Sequence, residues 1–400
     1  MRAGGMPVAQ TKMTNRAEIL KGNIMRDLSE LRKEIDDIDK NIVELFERRM
    51  AVSEEVAEYK IQNAKPVLDR DREKKKLSAL SQMASSDFNR TGLQELFLQL
   101  MSMSRKLQYK KLTEHGVLGN LPFIEIDEIK KTGVRIVYQG VEGAYSQSAV
   151  MEYFGENANM FHCETFHDAM TMIADGAADY AVLPIENSSA GIVSQNYDML
   201  AEFENYVVGE VTIRIDHCLL GLPGANIDDI DTVYSHAQGF MQCERFLDEH
   251  RSMQTFETQN TAVAAKKVMT EGDIHHAAIA SRSCSKLYGL DILAEDISLN
   301  SHNFTRFIVV TNQRVFCRDA KKISVSFEIP HESGSLYRLM SHFIYNGLNM
   351  TDIESRPVPG RPFEYRFFVD FEGNLNQSAV KNAIRGIREE ALNFRILGNY

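Results

Sequence analysis

The sequence predicts three successive domains: an all-α domain, a two-lobed α/β domain and a smaller α+β domain. A chain of 400 residues is too long for one hydrophobic core, and domains of ordinary size would number roughly two to four. Apolar residues recur at helical spacing near the N-terminus, whereas short apolar runs alternate with amphipathic segments after Gly133. From Lys322 the order becomes strand, helix, strand, strand, helix, strand.

The composition is typical of a soluble globular protein, with 44% hydrophobic and 25% charged residues. A net charge of -11 argues against a nucleic-acid binder, because phosphate contacts require lysine and arginine. The five cysteines are scattered, which predicts no disulfide framework and favours a reducing cytoplasmic location. No apolar run approaches the ~18 residues of a membrane span.

The domain boundaries follow from these changes of pattern. The sequence predicts a disordered tail at residues 1–25, the all-α domain at 26–112, a linker at 113–132, the α/β domain at 133–313 and the α+β domain at 321–400.

The all-α domain opens with a predicted helix of roughly 35 residues, which starts at Leu28 and ends before Pro66. Its strict apolar stripe is typical of packing on another long helix, often across a dimer. Arg49 occupies a stripe position, Lys60 lies about three turns further on nearly the same face, and Arg32 lies near the start. Three cations beside an apolar stripe suggest a pocket for a dianion, although solvated cations are an equally good interpretation of this helix alone.

Two further predicted helices complete a pattern of polar residues. One opens with an acidic and basic run from Asp69, and the other carries uncharged polar residues on its apolar stripe. The pattern comprises Arg32, Arg49, Lys60, Asp69, Arg72, Glu73, Ser104 and Gln108. Its spacing resembles the AroQ class of chorismate mutases, which are intertwined dimers of three-helix subunits. That family rearranges chorismate to prephenate without a cofactor or a covalent step.

The resemblance implies a role for each of these residues. Arg32 would bind a substrate carboxylate in the pocket of the partner subunit, and Arg49 would bind the other carboxylate. Lys60 and Gln108 would stabilise charge on the ether oxygen, and Glu73 would contact the ring hydroxyl. The residues expected to shape the site are Asp69, Arg72 and Ser104.

The α/β domain shows two series of alternating strands and helices, which imply mainly parallel sheets in two lobes with a cleft between them. Polar residues cluster at the expected strand ends, where open α/β sheets bind ligands. The glycines at 140 and 143 have the wrong spacing for a dinucleotide site, and the histidines lack metal-ligand spacing, so neither a nucleotide cofactor nor a metal is predicted. The clusters are Glu186-Asn187-Ser188, Ser235-His236 with Gln238 and Gln242, Ser281, and Asn303-Phe304-Thr305-Arg306.

Thr305 and Arg306 lie between two phenylalanines at the start of an apolar strand. A hydroxyl and a guanidinium held among aromatic rings suggest a desolvated site, where a donor and a cation act more strongly than in water. Taken alone, the same residues also fit an ordinary strand residue followed by a surface cation.

Five segments between Gly133 and about Thr311 stand out: Gly140 to Ser146, Pro184 to Ser188, Asp216 to Leu220, Tyr234 to His236, and Asn303 to Phe307. In these segments the chain resembles prephenate dehydratases. This family converts prephenate to phenylpyruvate, carbon dioxide and water.

The resemblance implies that Thr305 is catalytic and donates a proton toward the departing ring hydroxyl. Asn187 and Gln242 would support catalysis or binding, and Arg306 would hold a carboxylate. The residues expected nearby in the substrate site are Glu186 and Ser235.

The C-terminal domain has the split β-α-β order of ferredoxin-like folds. It resembles an ACT domain, a module that binds small molecules and pairs across a dimer. The effector signature is Glu354-Ser355-Arg356-Pro357, and its partner motif is Gly334-Ser335-Leu336-Tyr337, in which Ser335 and Tyr337 depart from the usual small apolar residues. L-phenylalanine is the expected inhibitor.

Together the resemblances cover nearly everything from Leu28 to Tyr400. They imply the bifunctional mutase and dehydratase family of phenylalanine biosynthesis, acting as a homodimer or a higher homo-oligomer. Two alternatives stay open: an amino-acid-sensing binding protein without catalysis, and a protein in which only the dehydratase is active.

Overall fold

The computed structural model describes residues 26–116, 121–300 and 302–400. The tail expected at residues 1–25 and part of the expected linker, 117–120, lie outside the described residues. The described residues divide into two compact units, with the boundary between Leu112 and Thr113.

Within the described residues 26–112, the first unit is built from three helices, the last of which extends two residues beyond the boundary. They are α1 (Leu28–Gln62), α2 (Arg70–Ser81) and α3 (Asp87–Glu114). Asp69 caps α2, because its side chain accepts a hydrogen bond from Arg72 N at 3.0 Å. The predicted all-helical organisation is confirmed.

The apolar stripe of α1 lies on the surface of the single chain. Leu28, Ile35, Ile42, Leu45 and Val52 are each more than half exposed. A stripe of this length needs a covering surface, because exposed apolar patches of several hundred Å² are rare in monomers.

The second unit combines strands and helices. The strands are β1 (Ile124–Ile126), β2 (Arg135–Gln139), β3 (Asn159–Cys163), β4 (Tyr180–Asn187), β5 (Gly191–Ile192), β6 (Tyr206–Arg214), β7 (His217–Gly221), β8 (Thr232–Ser235), β9 (Gln254–Glu257), β10 (His276–Ser281), β11 (Asp291–Ala294), β12 (Phe304–Thr311), β13 (Val315–Cys317), β14 (Lys322–Glu328), β15 (Met350–Pro357), β16 (Tyr365–Glu372) and β17 (Leu392–Asn399). The helices are α4 (Tyr145–Phe154), α5 (Phe166–Ala174), α6 (Ser194–Glu202), α7 (Ala237–Gln242), α8 (Glu244–Glu249), α9 (Thr261–Glu271), α10 (Arg282–Tyr288), α11 (Ser335–Tyr345) and α12 (Ser378–Glu390).

Two sheets form the two lobes expected for the α/β region. One lobe has the order β6-β12-β4-β2-β3, and the other has the order β11-β7-β10-β8-β9. The expectation of mainly parallel sheets is wrong, because both sheets are mixed. β2 runs parallel to β3 and β4, but β12 is antiparallel to β4 and β6, and β7 is antiparallel to β10 and β11. The chain leaves the first sheet after β6 and returns to it as β12, which runs antiparallel to β6.

The C-terminal strands follow the order β15-β16-β14-β17, with helices α11 and α12 between them in sequence. This is the split β-α-β arrangement that the order of elements predicts. The pair Gly398 and Val207 joins β17 to β6, so that the strands form one continuous sheet. A Cβ atom on Gly398 would lie 2.0 Å from the carbonyl oxygen of Val207, so this close approach requires glycine.

Among the helices in the described part of the chain, none combines the length and the hydropathy needed to cross a membrane.

Candidate active sites

Thr305 is placed by the antiparallel pairing of β12 with β4. Because the two strands run in opposite directions, the first residues of β12 meet the last residues of β4, and Thr305 pairs with Asn187. The Thr305 side chain is 8% exposed and faces a cleft of about 630 Å³. Two residues predicted from separate strand ends are therefore in contact.

Asn187 holds the Thr305 hydroxyl in a defined orientation. Its Oδ1 accepts hydrogen bonds from Ser189 N at 3.0 Å and Ala190 N at 2.7 Å, which fixes the amide. Its Nδ2 then donates to Thr305 Oγ1 at 2.9 Å and to Asn303 Oδ1 at 2.8 Å. Since the hydroxyl oxygen accepts from Asn187, the Thr305 proton remains available for a ligand in the cleft.

The cleft has polar walls but no arginine or lysine among its described lining residues. The first residues of four helices line it instead, those of α4, α5, α6 and α9: Tyr145, Phe166, Ser194 and Thr261. The N-terminus of a helix carries about half a positive charge and favours anions. The cleft can therefore accept carboxylates without a cationic side chain.

Gln242 is positioned by a buried histidine. His217 Nε2 lies 2.7 Å from Gln242 Oε1, and Tyr145 Oη lies 3.2 Å from His217 Nδ1. An amide oxygen can only accept, so His217 Nε2 carries the proton and the Nε2 end of Gln242 is directed away from it. Burial lowers the pKa of His217 below its ordinary value of 6.5, which keeps the ring neutral.

Arg306, Glu186 and Ser235 are not brought into the cleft. Side chains alternate along a strand, so Thr305 and Phe307 face the cleft while Arg306 faces the opposite side. Glu186 lies 3.3 Å from Arg306 on that side. Ser235 is fully buried and donates to the Ile279 carbonyl at 2.9 Å. The expectation that Arg306 binds a substrate carboxylate is therefore not met by its position.

The helical unit brings several of the predicted mutase residues together. Arg49 Nη1 donates to Ser104 Oγ at 2.5 Å and to the Leu100 carbonyl at 2.8 Å. Burial lowers the pKa of Arg49, and the nearby Glu73 carboxylate opposes this effect. Gln108, one turn beyond Ser104, is buried, and its Oε1 has no hydrogen-bond partner among the described residues.

Lys60, Asp69 and Arg72 line a pocket of about 820 Å³ at the junction of α1 and α2. Lys60 Nζ donates to the Val67 carbonyl at 2.6 Å. Arg32 is exposed on α1 and lies 17 residues before Arg49, which at 1.5 Å per residue is roughly 26 Å along the helix. The structure of one chain therefore does not bring Arg32 to the other predicted residues.

The effector motif predicted at Glu354–Pro357 lies on β15. Arg356 pairs with Asp198 on α6 at 2.7 Å, and burial raises the pKa of Glu354. Gly334 precedes α11 with a φ of 77°, a left-handed conformation that glycine adopts readily, and Leu336 lies on the first turn of α11.

Sequence reasoning missed two residues with direct contacts to the sites. Arg105, which is 5% exposed, donates to both carboxylate oxygens of Glu73 at 2.7 Å. His217 contacts Gln242, as described above. Arg105 follows the predicted Ser104 directly, so a cation on a helix with an apolar stripe was an available signal. His217 lies in the segment Asp216 to Leu220 that resembles prephenate dehydratases, and that resemblance was its only signal.

Comparison with known proteins assigns the two parts of the chain. The family model of chorismate mutase type II matches residues 31–109, and that of prephenate dehydratase matches residues 136–315. The bifunctional chorismate mutase/prephenate dehydratase of Escherichia coli (strain K12) is 31% identical over 376 residues, which cover 92% of this chain and 95% of that protein. The chain belongs to the bifunctional chorismate mutase/prephenate dehydratase family.

Solved structures resemble about two thirds of this chain. A prephenate dehydratase from Arthrobacter aurescens in complex with L-Phe is 30% identical, with a TM-score of 0.62, and the match covers 67% of this chain and 89% of that one. A protein described as a novel type of quorum-quenching acylase is 29% identical with the same TM-score, and the match covers 66% and 97% of the two chains.

Proposed function

We propose that the chain converts chorismate to prephenate in its helical unit and prephenate to phenylpyruvate in the cleft beside Thr305, under feedback inhibition by L-phenylalanine. Membership of the family supports both enzyme activities, chorismate mutase and prephenate dehydratase. The proposed domains are residues 26–112, 133–313 and 321–400, and the proposed location is cytoplasmic, with which the five free cysteines are compatible.

The contact between Thr305 and Asn187 carries the dehydratase proposal. The substrate carboxylate leaves as carbon dioxide, its electron pair enters the ring, and the ring C–O bond breaks. Thr305 donates its proton to the departing oxygen, which leaves as water, and solvent then restores the hydroxyl. Because Asn187 donates to the same oxygen, it stabilises the negative charge that grows there as the proton leaves. Aromatisation of the ring supplies the driving force, so a weak acid suffices.

The backbone N–H groups of α4, α6 and α9 are proposed to bind the prephenate carboxylates. Their first residues line the cleft, whereas no arginine or lysine of the described chain does. The amide of Gln242, held by His217, provides a further contact on the opposite lobe.

The mutase reaction needs two carboxylate contacts and donors for the ether oxygen, with no acid–base pair. Arg49 is proposed to bind one carboxylate, Lys60 and Gln108 to stabilise the ether oxygen, and Glu73, oriented by Arg105, to contact the ring hydroxyl. The residues proposed to shape the pocket are Asp69, Arg72 and Ser104.

A homodimer is proposed because α1 exposes its apolar stripe and because Arg32 is too far from Arg49 to serve the same pocket. A second copy of α1 would cover the stripe and bring its own Arg32 to the partner subunit's pocket.

The C-terminal strands and helices are proposed to form an ACT domain that binds L-phenylalanine through Gly334, Leu336 and the segment Glu354–Pro357. The split β-α-β arrangement supports this proposal. The structural relative from Arthrobacter aurescens was solved in complex with L-Phe.

One assay tests the two-reaction proposal. Purified protein is supplied with chorismate at neutral pH, and prephenate and phenylpyruvate are followed against an enzyme-free blank. Phenylpyruvate formation that L-phenylalanine suppresses is expected. Absence of phenylpyruvate when prephenate itself is supplied would refute the dehydratase assignment.

A further inference from the structure

Arg306 is surrounded by carboxylates on the side of β12 that faces away from the cleft. Its side chain is 16% exposed, so these interactions are partly shielded from water. Its guanidinium lies close to four acidic side chains: Glu186 at 3.3 Å, Glu210 at 3.6 Å, Asp352 at 2.9 Å and Asp370 at 3.0 Å.

The four carboxylates come from two different parts of the fold. Glu186 and Glu210 lie on β4 and β6, in the same lobe as β12, whereas Asp352 and Asp370 lie on β15 and β16. Arg306 therefore forms ion pairs from the strand of Thr305 to two C-terminal strands. Because Arg306 is adjacent to Thr305 in sequence, a shift of its guanidinium acts on the backbone that positions Thr305.

Helix α6 makes a second connection between the same elements. Ser194 and Gln195 at its start line the cleft. Tyr197, two residues further, donates to Asp352 Oδ2 at 3.2 Å. Asp198 accepts from Arg356 at 2.7 and 3.0 Å. Both contacts reach β15, so this strand touches the cleft wall as well as Arg306.

Asp352 shares a face of β15 with part of the proposed effector motif. Residues two apart on a strand point to the same side, so Asp352, Glu354 and Arg356 all face the dehydratase lobe. A bulge between Met350 and Asp352 interrupts the pairing of β15 with β16 just before this series. Bulges re-aim side chains and recur beside functional sites.

We infer that the Asp352–Arg306 ion pair couples effector binding on β15 to the position of Thr305 in the dehydratase cleft. The inference rests on the proposed regulatory function of the C-terminal domain. An effector that contacts Glu354 and Arg356 displaces or stiffens β15, which changes the ion pair two residues away. Thr305, next to Arg306, then moves relative to Asn187. Arg306 and Asp352 are positioning residues in this scheme and do not touch the substrate.

The variant Asp352→Asn tests this coupling. It keeps the shape of the side chain and removes one of four carboxylates, so Arg306 retains Glu186, Glu210 and Asp370 as partners. Dehydratase kcat and KM without effector are expected to stay within about twofold of wild type. Residual activity at saturating L-phenylalanine is expected to rise at least about fivefold relative to wild type, the lower end of the 5- to 150-fold range typical of allosteric coupling. The calorimetric Kd for L-phenylalanine is expected to change far less.

The matched control is Asp127→Asn, which removes a carboxylate from the exposed Arg318 pair in the same unit and should leave inhibition unchanged. If L-phenylalanine inhibits Asp352→Asn to the same extent as wild type, the coupling is overturned and the regulatory function stays intact. Loss of L-phenylalanine binding by this variant would also overturn it, because Asp352 would then belong to the effector site. A wild-type protein that binds no L-phenylalanine would refute the regulatory proposal itself, and the coupling with it.

Discussion

Replacing Asn187 by aspartate should reverse the hydrogen bond on which the dehydratase mechanism depends. The two backbone N–H groups of Ser189 and Ala190 would still find an acceptor, so the loop should keep its shape. The Nδ2 donor that now contacts Thr305 Oγ1 at 2.9 Å would become a carboxylate oxygen. The Thr305 proton would then turn toward the introduced carboxylate and away from the substrate.

The size of the effect follows from that redirected proton. A hydrogen bond to a charged group is worth about 1.5–3 kcal/mol, and it must break before Thr305 can serve the substrate. At 1.36 kcal/mol per tenfold, a barrier higher by about 1.5–3 kcal/mol corresponds to a dehydratase kcat roughly 13- to 160-fold lower. The added negative charge also repels a dianionic substrate, so KM should rise.

The assay compares Asn187→Asp with wild type on supplied prephenate, and both proteins on chorismate. Thr305→Ser, which keeps a hydroxyl, is the matched control and should retain far more activity than Asn187→Asp. Mutase turnover should be unchanged, because Asn187 lies outside the helical unit. A folded Asn187→Asp protein with dehydratase activity within about threefold of wild type would show that the hydroxyl orientation is irrelevant.

Three further predictions concern separate parts of the molecule. Lys60→Ala should abolish chorismate consumption and spare dehydration of supplied prephenate; loss of both activities in a folded protein would contradict it. Burial lowers the pKa of His217, so below pH 6.5 the unfolded chain binds a proton that the folded chain does not, and the free energy of unfolding falls with acidification. In urea titrations at pH ~7.5 and ~5.5, the free energy of unfolding should fall less in His217→Gln than in wild type. An equal fall in the two proteins would contradict the lowered pKa of His217. Gly398→Ala should lower stability by about 1–3 kcal/mol, because its Cβ would meet the Val207 carbonyl, whereas the control Gly92→Ala has open space and should not; equal melting temperatures for wild type and Gly398→Ala would contradict it.

Local pattern predicted the helices and most strands, because periodicity depends on neighbours in sequence. It also placed Thr305 and Asn187 at strand ends, although their contact depends on an antiparallel register across 118 positions. The alternation of strands and helices along the chain could not predict that the sheets are mixed, because β12 returns to the first sheet from the other lobe.

Arg306 shows where a local pattern misleads. Beside Thr305 it looked like a partner in the same site, yet adjacent residues of a strand face opposite sides. If the predicted strand is extended back to include Thr305 and Arg306, alternation places their side chains on opposite faces of the sheet. The carboxylates that surround Arg306 come from four strands, and Asp352 and Asp370 lie 46 and 64 positions away, so no local spacing reveals them.

Chorismate supplied to the Thr305→Ala protein tests most directly whether two independent sites act in sequence on one chain. Prephenate should accumulate at the wild-type mutase rate while phenylpyruvate stays at the enzyme-free level. Loss of chorismate consumption in the folded variant, or phenylpyruvate formed at the wild-type rate, would contradict this account.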